Sequence, residues 1–208
     1  MKCALVGSRY FGASVFEALR KQEGVEFTCV VAPADDDRLA LAARAAGIEP
    51  HVLANPKIVP AEAIAEGTDL VIAAHTHARV SNEALARSRL GGIGYHPSLL
   101  PRHRGIAAIE WTIKENDPIA GGTIYHLAER MDAGAIAAQD WCFVKKGETA
   151  RELWERALAP MGFRLLTDVL RQANATGTLP ARPQDEQFAT RAPMIDELAP
   201  PPRPAASR

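Results

Sequence analysis

The sequence predicts an α/β protein: a Rossmann-like, doubly wound, mostly parallel sheet in a single domain. Three observations predict it. Apolar runs of strand length alternate with stretches of helical period, as βαβ units do. With 208 residues, 47% of them hydrophobic, the chain can bury one full core and fits one domain better than two. The side chains with chemistry to offer fall directly after the apolar runs, where open α/β sheets gather their ligands.

In chain order, the apolar run 3–6 reads as the first strand, and 12–21 as the helix that carries the chain back. The pattern repeats with strands at 25–31, 70–74 and 92–95 and helices at 39–46, 61–66 and 82–88. Residues 106–115 read as a further helix, 119–127 as a strand containing Gly121-Gly122, and 135–144 as its neighbour. Thr149 and Glu152 form a capping-box pattern that opens a helix predicted to run through Leu170, with Pro160 kinking or breaking it. After Gly177, prolines at 180, 183, 193 and 200–202 leave little that could pack. A body of residues 1–198 with a mobile tail at 199–208 is expected.

The charge balance, 24 Lys+Arg against 25 Asp+Glu, gives a net charge of -1, so neither a nucleic acid nor a membrane surface is an expected partner. A small molecule is. Cys3, Cys29 and Cys142 are odd in number, far apart and set in apolar runs, which suits reduced thiols in a cytoplasmic protein. The first apolar run is too short for a signal peptide or a transmembrane helix.

The segments that follow the strands are 7–11, 75–81, 96–105 and 127–134, which places His75, His77, His96 and Asp132 on one edge. His96 has the setting of a positioned acid-base group, with a strand before it, Pro97 fixing the next backbone angle and Pro101 closing the loop. The plain alternative is a histidine that caps a turn. Asp132, in a turn between two apolar strands, is at first sight a turn residue held by its backbone hydrogen bonds. Gly7-Ser8-Arg9-Tyr10-Phe11-Gly12 lacks the G-x-G-x-x-G spacing of a dinucleotide loop. His75 and His77, two apart on an extended segment, should point to opposite sides, and with no completing ligand nearby no metal site is expected. Arg102, His103 and Arg104 read as a solvated basic cluster, and Trp111, Trp141 and Trp154 as core or rim packing.

The stretch Gly94-Tyr95-His96-Pro97-Ser98-Leu99-Leu100-Pro101-Arg102-His103-Arg104-Gly105 resembles the signature of the folate-dependent formyltransferases, and Asp132-Ala133-Gly134 matches their downstream Asp-x-Gly. The likeness is strongest to the N-terminal hydrolase domain of formyltetrahydrofolate dehydrogenase and extends to the catalytic domain of methionyl-tRNA formyltransferase. It covers residues 1 to about 196. It implies 10-formyltetrahydrofolate as co-substrate, no metal, and a small-molecule amine as acceptor. His96 would shuttle the proton, and Asp132 would position it together with a catalytic water. It further implies a pterin pocket walled by Arg79, Val80 and Ser81 on one side. The backbone of Leu127, Ala128, Glu129, Arg130 and Met131 would form the other wall. Gly94, Pro97, Ser98, Arg102 and Arg104 would line the substrate side, the arginines meeting a glutamate tail or an anionic co-substrate. A stand-alone catalytic domain is expected, and a homodimer stays open.

One position departs from the pattern. Transformylases of the family usually carry an Asn two residues before the His, where it holds the formyl oxygen as negative charge develops; here that residue is Gly94. The dehydrogenase's hydrolase domain lacks the Asn too. Losing such a donor costs on the order of 3 kcal/mol of transition-state stabilisation. Two rivals therefore stand beside the transferase: a hydrolase in which water replaces the amine, and a folate-binding module without turnover. A glycine at 94 is also expected to admit a water or a backbone N–H to the vacant position.

Overall fold

The computed structural model describes residues 1–195, so the expected tail at 199–208 lies outside the described residues. Nine strands and six helices follow in the order β1 (Lys2–Gly7), α1 (Arg9–Leu19), β2 (Glu26–Ala32), α2 (Arg38–Ala45), β3 (His51–Val52), β4 (Ile58–Val59), β5 (Leu70–Ala74), β6 (Arg79–Val80), α3 (Asn82–Leu85), β7 (Gly92–His96), α4 (Ala108–Lys114), β8 (Ile119–His126), β9 (Ile136–Phe143), α5 (Ala150–Leu153) and α6 (Ala159–Thr176) among the described residues. Seven strands form one sheet in the order β3-β2-β1-β5-β7-β8-β9, and β4 pairs with β6 apart from it. From β3 to β7 every pairing is parallel; β8 and β9 close the sheet antiparallel. The strand order reverses between β1 and β5, which puts a crevice at their carboxyl ends.

Alternation along the central strands builds two cores. Cys3, Leu5, Leu70 and Ile72 face a layer made by Phe16 and Leu19 of α1 and Leu166, Val169 and Leu170 of α6. Ala4, Val6 and Val71 face the other way, against Val59, Ile64, Val80 and Ala84. Both faces are covered, which is why these strands read as unbroken apolar runs. Each fully buried Leu or Ile contributes about 1.5–3 kcal/mol.

Several boundaries differ from expectation. The helix expected at 61–66 is only a 3-10 turn, Ala61–Ala63, because Ile64 is already extended and Gly67 turns left-handed at φ 77°. The helix expected at 82–88 is the single turn α3, capped by the Ser81 hydroxyl on the Ala84 N–H. The two-residue strands β3, β4 and β6 are too short to leave a periodic signal.

The capping box forms as expected: the Thr149 hydroxyl meets the Glu152 N–H, and the Glu152 carboxylate answers the Thr149 N–H. Pro160 does not break the helix. A π turn at Trp154–Leu158 widens the spiral ahead of it, the Ala159 N–H reaching back five residues to the Trp154 carbonyl, and α6 then runs to Thr176.

The proline-rich stretch after Gly177 packs, contrary to expectation. It crosses the carboxyl edge as a strap. Arg182 bridges Ile136, Arg191 bridges Arg104, and Ala192 is fully buried. Gly105, at φ 128°, is what admits it, since a Cβ there would stand 2.6 Å from the Ala192 carbonyl oxygen.

Candidate active site

His96 ends β7, and Asp132 sits in the turn that joins β8 to β9. Both side chains are only 8% exposed, and His96 Nδ1 lies 3.6 Å from Asp132 Oδ2. His96 Nε2 is 2.7 Å from the His103 carbonyl oxygen. A carbonyl only accepts, so Nε2 carries a proton, and in the neutral tautomer the lone pair is at Nδ1. Asp132 Oδ2 accepts the Gly105 N–H at 2.8 Å. At 3.6 Å the imidazole and carboxylate do not bond directly; two acceptors at that spacing can share one N–H or O–H donor set against both.

The loop between His96 and Gly105 is braced at most of its polar atoms, with His103 Nδ1 a buried exception. Ser98 Oγ donates to the Arg102 carbonyl, and the Thr123 hydroxyl donates to the Ser98 carbonyl. Gln139 donates to the Leu100 carbonyl and to Thr123. His103, at φ 56°, has its N–H on Thr190 and its Nε2 on Asp117 at 2.8 Å. Arg104 holds Gln184 and Glu186, and the same Gln184 donates to the carbonyls of Asp132 and Gly134. Thus the strap ties the His96 loop to the Asp132 turn. Of the five non-glycine residues with positive φ among the described residues, four lie at this edge: His75, His103 and Asp132 in loops, and Arg9 at the start of α1. Such conformations persist only where the surroundings enforce them.

Tyr125 completes the local picture. It pairs across the antiparallel ladder with Gly94, so its side chain shares a face with His96. Its ring stands nearly perpendicular to the imidazole, centroids 6.3 Å apart. A Cβ on Gly94 would lie 3.2 Å from Tyr125 Cε1, 3.3 Å from Cζ and 3.2 Å from a Leu127 methyl. A side chain at 94 would therefore crowd both the Tyr125 ring and Leu127. Burial, with the Asp132 carboxylate facing the hydroxyl, holds the phenol proton well above its ordinary range.

A family model described as formyl transferase matches residues 1–170. The chain belongs to that family. Cytosolic 10-formyltetrahydrofolate dehydrogenase of Mus musculus is 36% identical over 202 residues, which is 91% of this chain and 22% of the relative. Methionyl-tRNA formyltransferase of Deinococcus radiodurans is 31% identical over 93% of this chain and 63% of that enzyme. The chain thus spans under a quarter of the dehydrogenase and under two thirds of the tRNA enzyme. Among solved structures, glycinamide ribonucleotide transformylase 1 from Symbiobacterium toebii superimposes with a TM-score of 0.75 at 20% identity, over 88% of this chain and 94% of that one. The N-formyltransferase from Helicobacter canadensis, in complex with folinic acid and dTDP-3-aminofucose, gives 0.74 at 17%, over 94% and 72%. At these identities the likeness shows the formyltransferase fold.

The remaining expected site residues divide. Pro97 and Ser98 lie in the braced loop, Ser98 only 2% exposed with its hydroxyl committed. Arg102 and Arg104 both have intramolecular partners. Arg102 bridges Glu115 and Asp117, and Arg104 is bonded to Gln184 and Glu186, because loop and strap bring these partners in from 13 to 82 residues away.

The first expected pterin wall, Arg79, Val80 and Ser81, is a strand paired to β4. The Arg79 and Ser81 N–H groups donate to Lys57 and Val59, and the Ser81 hydroxyl is spent as a cap. The second wall fits better. Leu127 packs on Gly92 and Leu85, and the N–H groups of Ala128, Glu129 and Met131 have no hydrogen-bond partner among the described residues. Ala128, Glu129, Arg130 and Met131 are all exposed. A heterocycle that needs main-chain donors and acceptors would find them there.

His75 and His77 do not point apart. The left-handed backbone at His75, φ 56°, brings the rings to a centroid distance of 5.4 Å. His75 is pushed below its ordinary pKa by burial, then by His77 and Arg9. Its carbonyl accepts the Ser8 hydroxyl, which ties the end of β5 to the end of β1. His103, Glu115 and Asp117 have ligand atoms within 4.8 Å of one another, but the Arg102 guanidinium already bridges both carboxylates, so this set is an ion-pair network. Among the described residues no helix is long and apolar enough to cross a membrane. The three cysteines are free, and burial pushes the Cys3 thiol up to about 12.

Proposed function

We propose that this chain binds 10-formyltetrahydrofolate and passes its formyl group to the amine of a small molecule. The observation that carries the reading is the buried His96–Asp132 pair at the carboxyl edge of a formyl transferase family domain. When bound, the folate supplies an activated formyl group. His96 Nδ1 accepts the proton that the attacking amine loses, since Nε2 is committed to the His103 carbonyl. Asp132, held by the Gly105 N–H, orients the donor at Nδ1 and stabilises the imidazolium as it forms. His96 then returns the proton to the departing folate nitrogen. The exposed amides of Ala128, Glu129 and Met131 hold the pterin; the braced loop keeps the base in place.

A water fits the same pair as readily as an amine, and the 36% identity to a 10-formyltetrahydrofolate dehydrogenase gives the hydrolytic reading its own support. Tetrahydrofolate release, measured with and without a panel of small amines, separates them. Amine-dependent release supports transfer. Formate production indifferent to amine selects the hydrolase, and folate binding with no release at all contradicts both.

A further inference from the structure

The attack on a formyl group has a second requirement, beyond a base: something must meet the negative charge that grows on the formyl oxygen. The donors nearest His96 Nδ1 are mostly committed. The His96 Nε2–H is on the His103 carbonyl and the Gly105 N–H on Asp132. The hydroxyls of Ser98 and Thr123 are on the Arg102 and Ser98 carbonyls. A further side-chain donor on that face is the Tyr125 hydroxyl, directed at the Asp132 carboxylate.

The ring that bears it lies over Gly94, and its Cζ, the carbon carrying the hydroxyl, would be 3.3 Å from a Cβ at that position. The ring, with Leu127, therefore crowds the place where a side chain at 94 would start, two residues before the base and on the same side of the sheet. The hydroxyl faces the Asp132 carboxylate and can swing about its C–O bond from there toward a ligand oxygen.

We infer that Tyr125 is a further catalytic residue, donating a hydrogen bond from its hydroxyl to the formyl oxygen in place of a side-chain donor at position 94. The inference rests on the formyl-transfer reading above. As the nucleophile bonds to the formyl carbon, the carbonyl electron pair moves onto oxygen, where Tyr125 meets it without giving up its proton. The pair returns as the bond to the folate nitrogen breaks with its electrons on nitrogen. The proton lost by the nucleophile reaches that nitrogen through His96. Burial and the Asp132 carboxylate favour the protonated phenol, which keeps the donor in place.

Tyr125→Phe keeps the ring over Gly94 and removes only the donor. With water or hydroxylamine as acceptor, kcat for tetrahydrofolate release should fall by about 100-fold, the scale of one lost oxyanion donor. The affinity for folinic acid, which cannot transfer its formyl group, should change less than about threefold, under 0.7 kcal/mol. A second pair guards against a structural cause. Gly94→Asn alone drives its side chain into the ring, whereas Gly94→Asn with Tyr125→Ala frees that volume for a carboxamide, which should recover at least about tenfold over Tyr125→Ala. Wild-type kcat in Tyr125→Phe, an equal loss of folinic acid affinity, or no recovery in the double variant would each overturn the inference while leaving the functional reading intact. A wild type that releases no tetrahydrofolate would overturn both.

Discussion

Two loops leave the same edge of the sheet and are built in opposite ways. In the loop from Pro97 to Gly105, the hydroxyl, the guanidinium groups and several carbonyls are bonded within the loop, to β8, β9, the turn after α4 or the strap. In the stretch from Leu127 to Met131, three consecutive-turn amides face outward with no partner among the described residues, and four of the five side chains are exposed. The difference teaches where each part of the proposed function resides. A base must be held in place before substrate arrives, whereas a heterocycle that brings its own donors and acceptors needs a surface that still has some to offer.

The largest effect should come from the base itself. His96→Ala should lower tetrahydrofolate release by about 10²- to 10⁴-fold, the span of general acid-base catalysis, while folinic acid still binds. Kinetics and calorimetry on the same preparation check it; retained activity would break the comparison at its centre. Next is the brace. Gln184→Ala strands the Asp132 and Gly134 carbonyls and should cost about 2–3 kcal/mol of stability, with a fall in kcat larger than any change in folinic acid affinity. Denaturant melts and kinetics read the two separately.

How much of this was legible in the sequence follows from the same contrast. The parallel frame was readable because strands covered on both faces, such as Leu70–Ala74, are continuous apolar runs. His96 was singled out by local setting and family likeness, Asp132 by family likeness alone, and the structure brings the two side chains together. The braces were not. Arg104 meets Glu186 across 82 residues, and the strap is held by isolated bridges and side-chain bonds rather than by a periodic apolar face. Tyr125 was visible only as a strand residue. That it covers Gly94 depends on the register of β7 on β8, which no periodicity states. His75 escaped because a single left-handed residue invalidates the alternation rule used to separate it from His77.

Acid should act mainly on the braced loop, because Arg130 of the open one meets Glu186 only at 3.5 Å and is largely exposed. Arg104 first, then Arg130, holds the Glu186 carboxyl below its ordinary value. A depressed carboxyl contributes stability that is present above the ordinary value of 4.5 and is lost as the pH falls through the folded one, so the strap's hold on Arg104 should loosen below about pH 4.5. Hydrogen exchange at Thr190 and Ala192 should accelerate in that window, and Glu186→Gln should remove the dependence. Pterin-loop amides that show the same pH response would erase the distinction. The smallest effect is expected at Glu129→Ala: stability should stay within about 0.5 kcal/mol, and folinic acid affinity should be nearly unchanged, because the main chain does the holding. Calorimetry and ligand titration check both.

Amide hydrogen exchange across the whole chain, with and without folinic acid, tests the division between the loops most directly. The amides of His103, Arg104 and Gly105 should exchange slowly in both states. Those of Ala128, Glu129 and Met131 should exchange fast alone and become protected on binding. Protection gained instead at His103 to Gly105, or only in the turn from Gly7 to Gly12, would contradict a prebuilt base and an open folate loop.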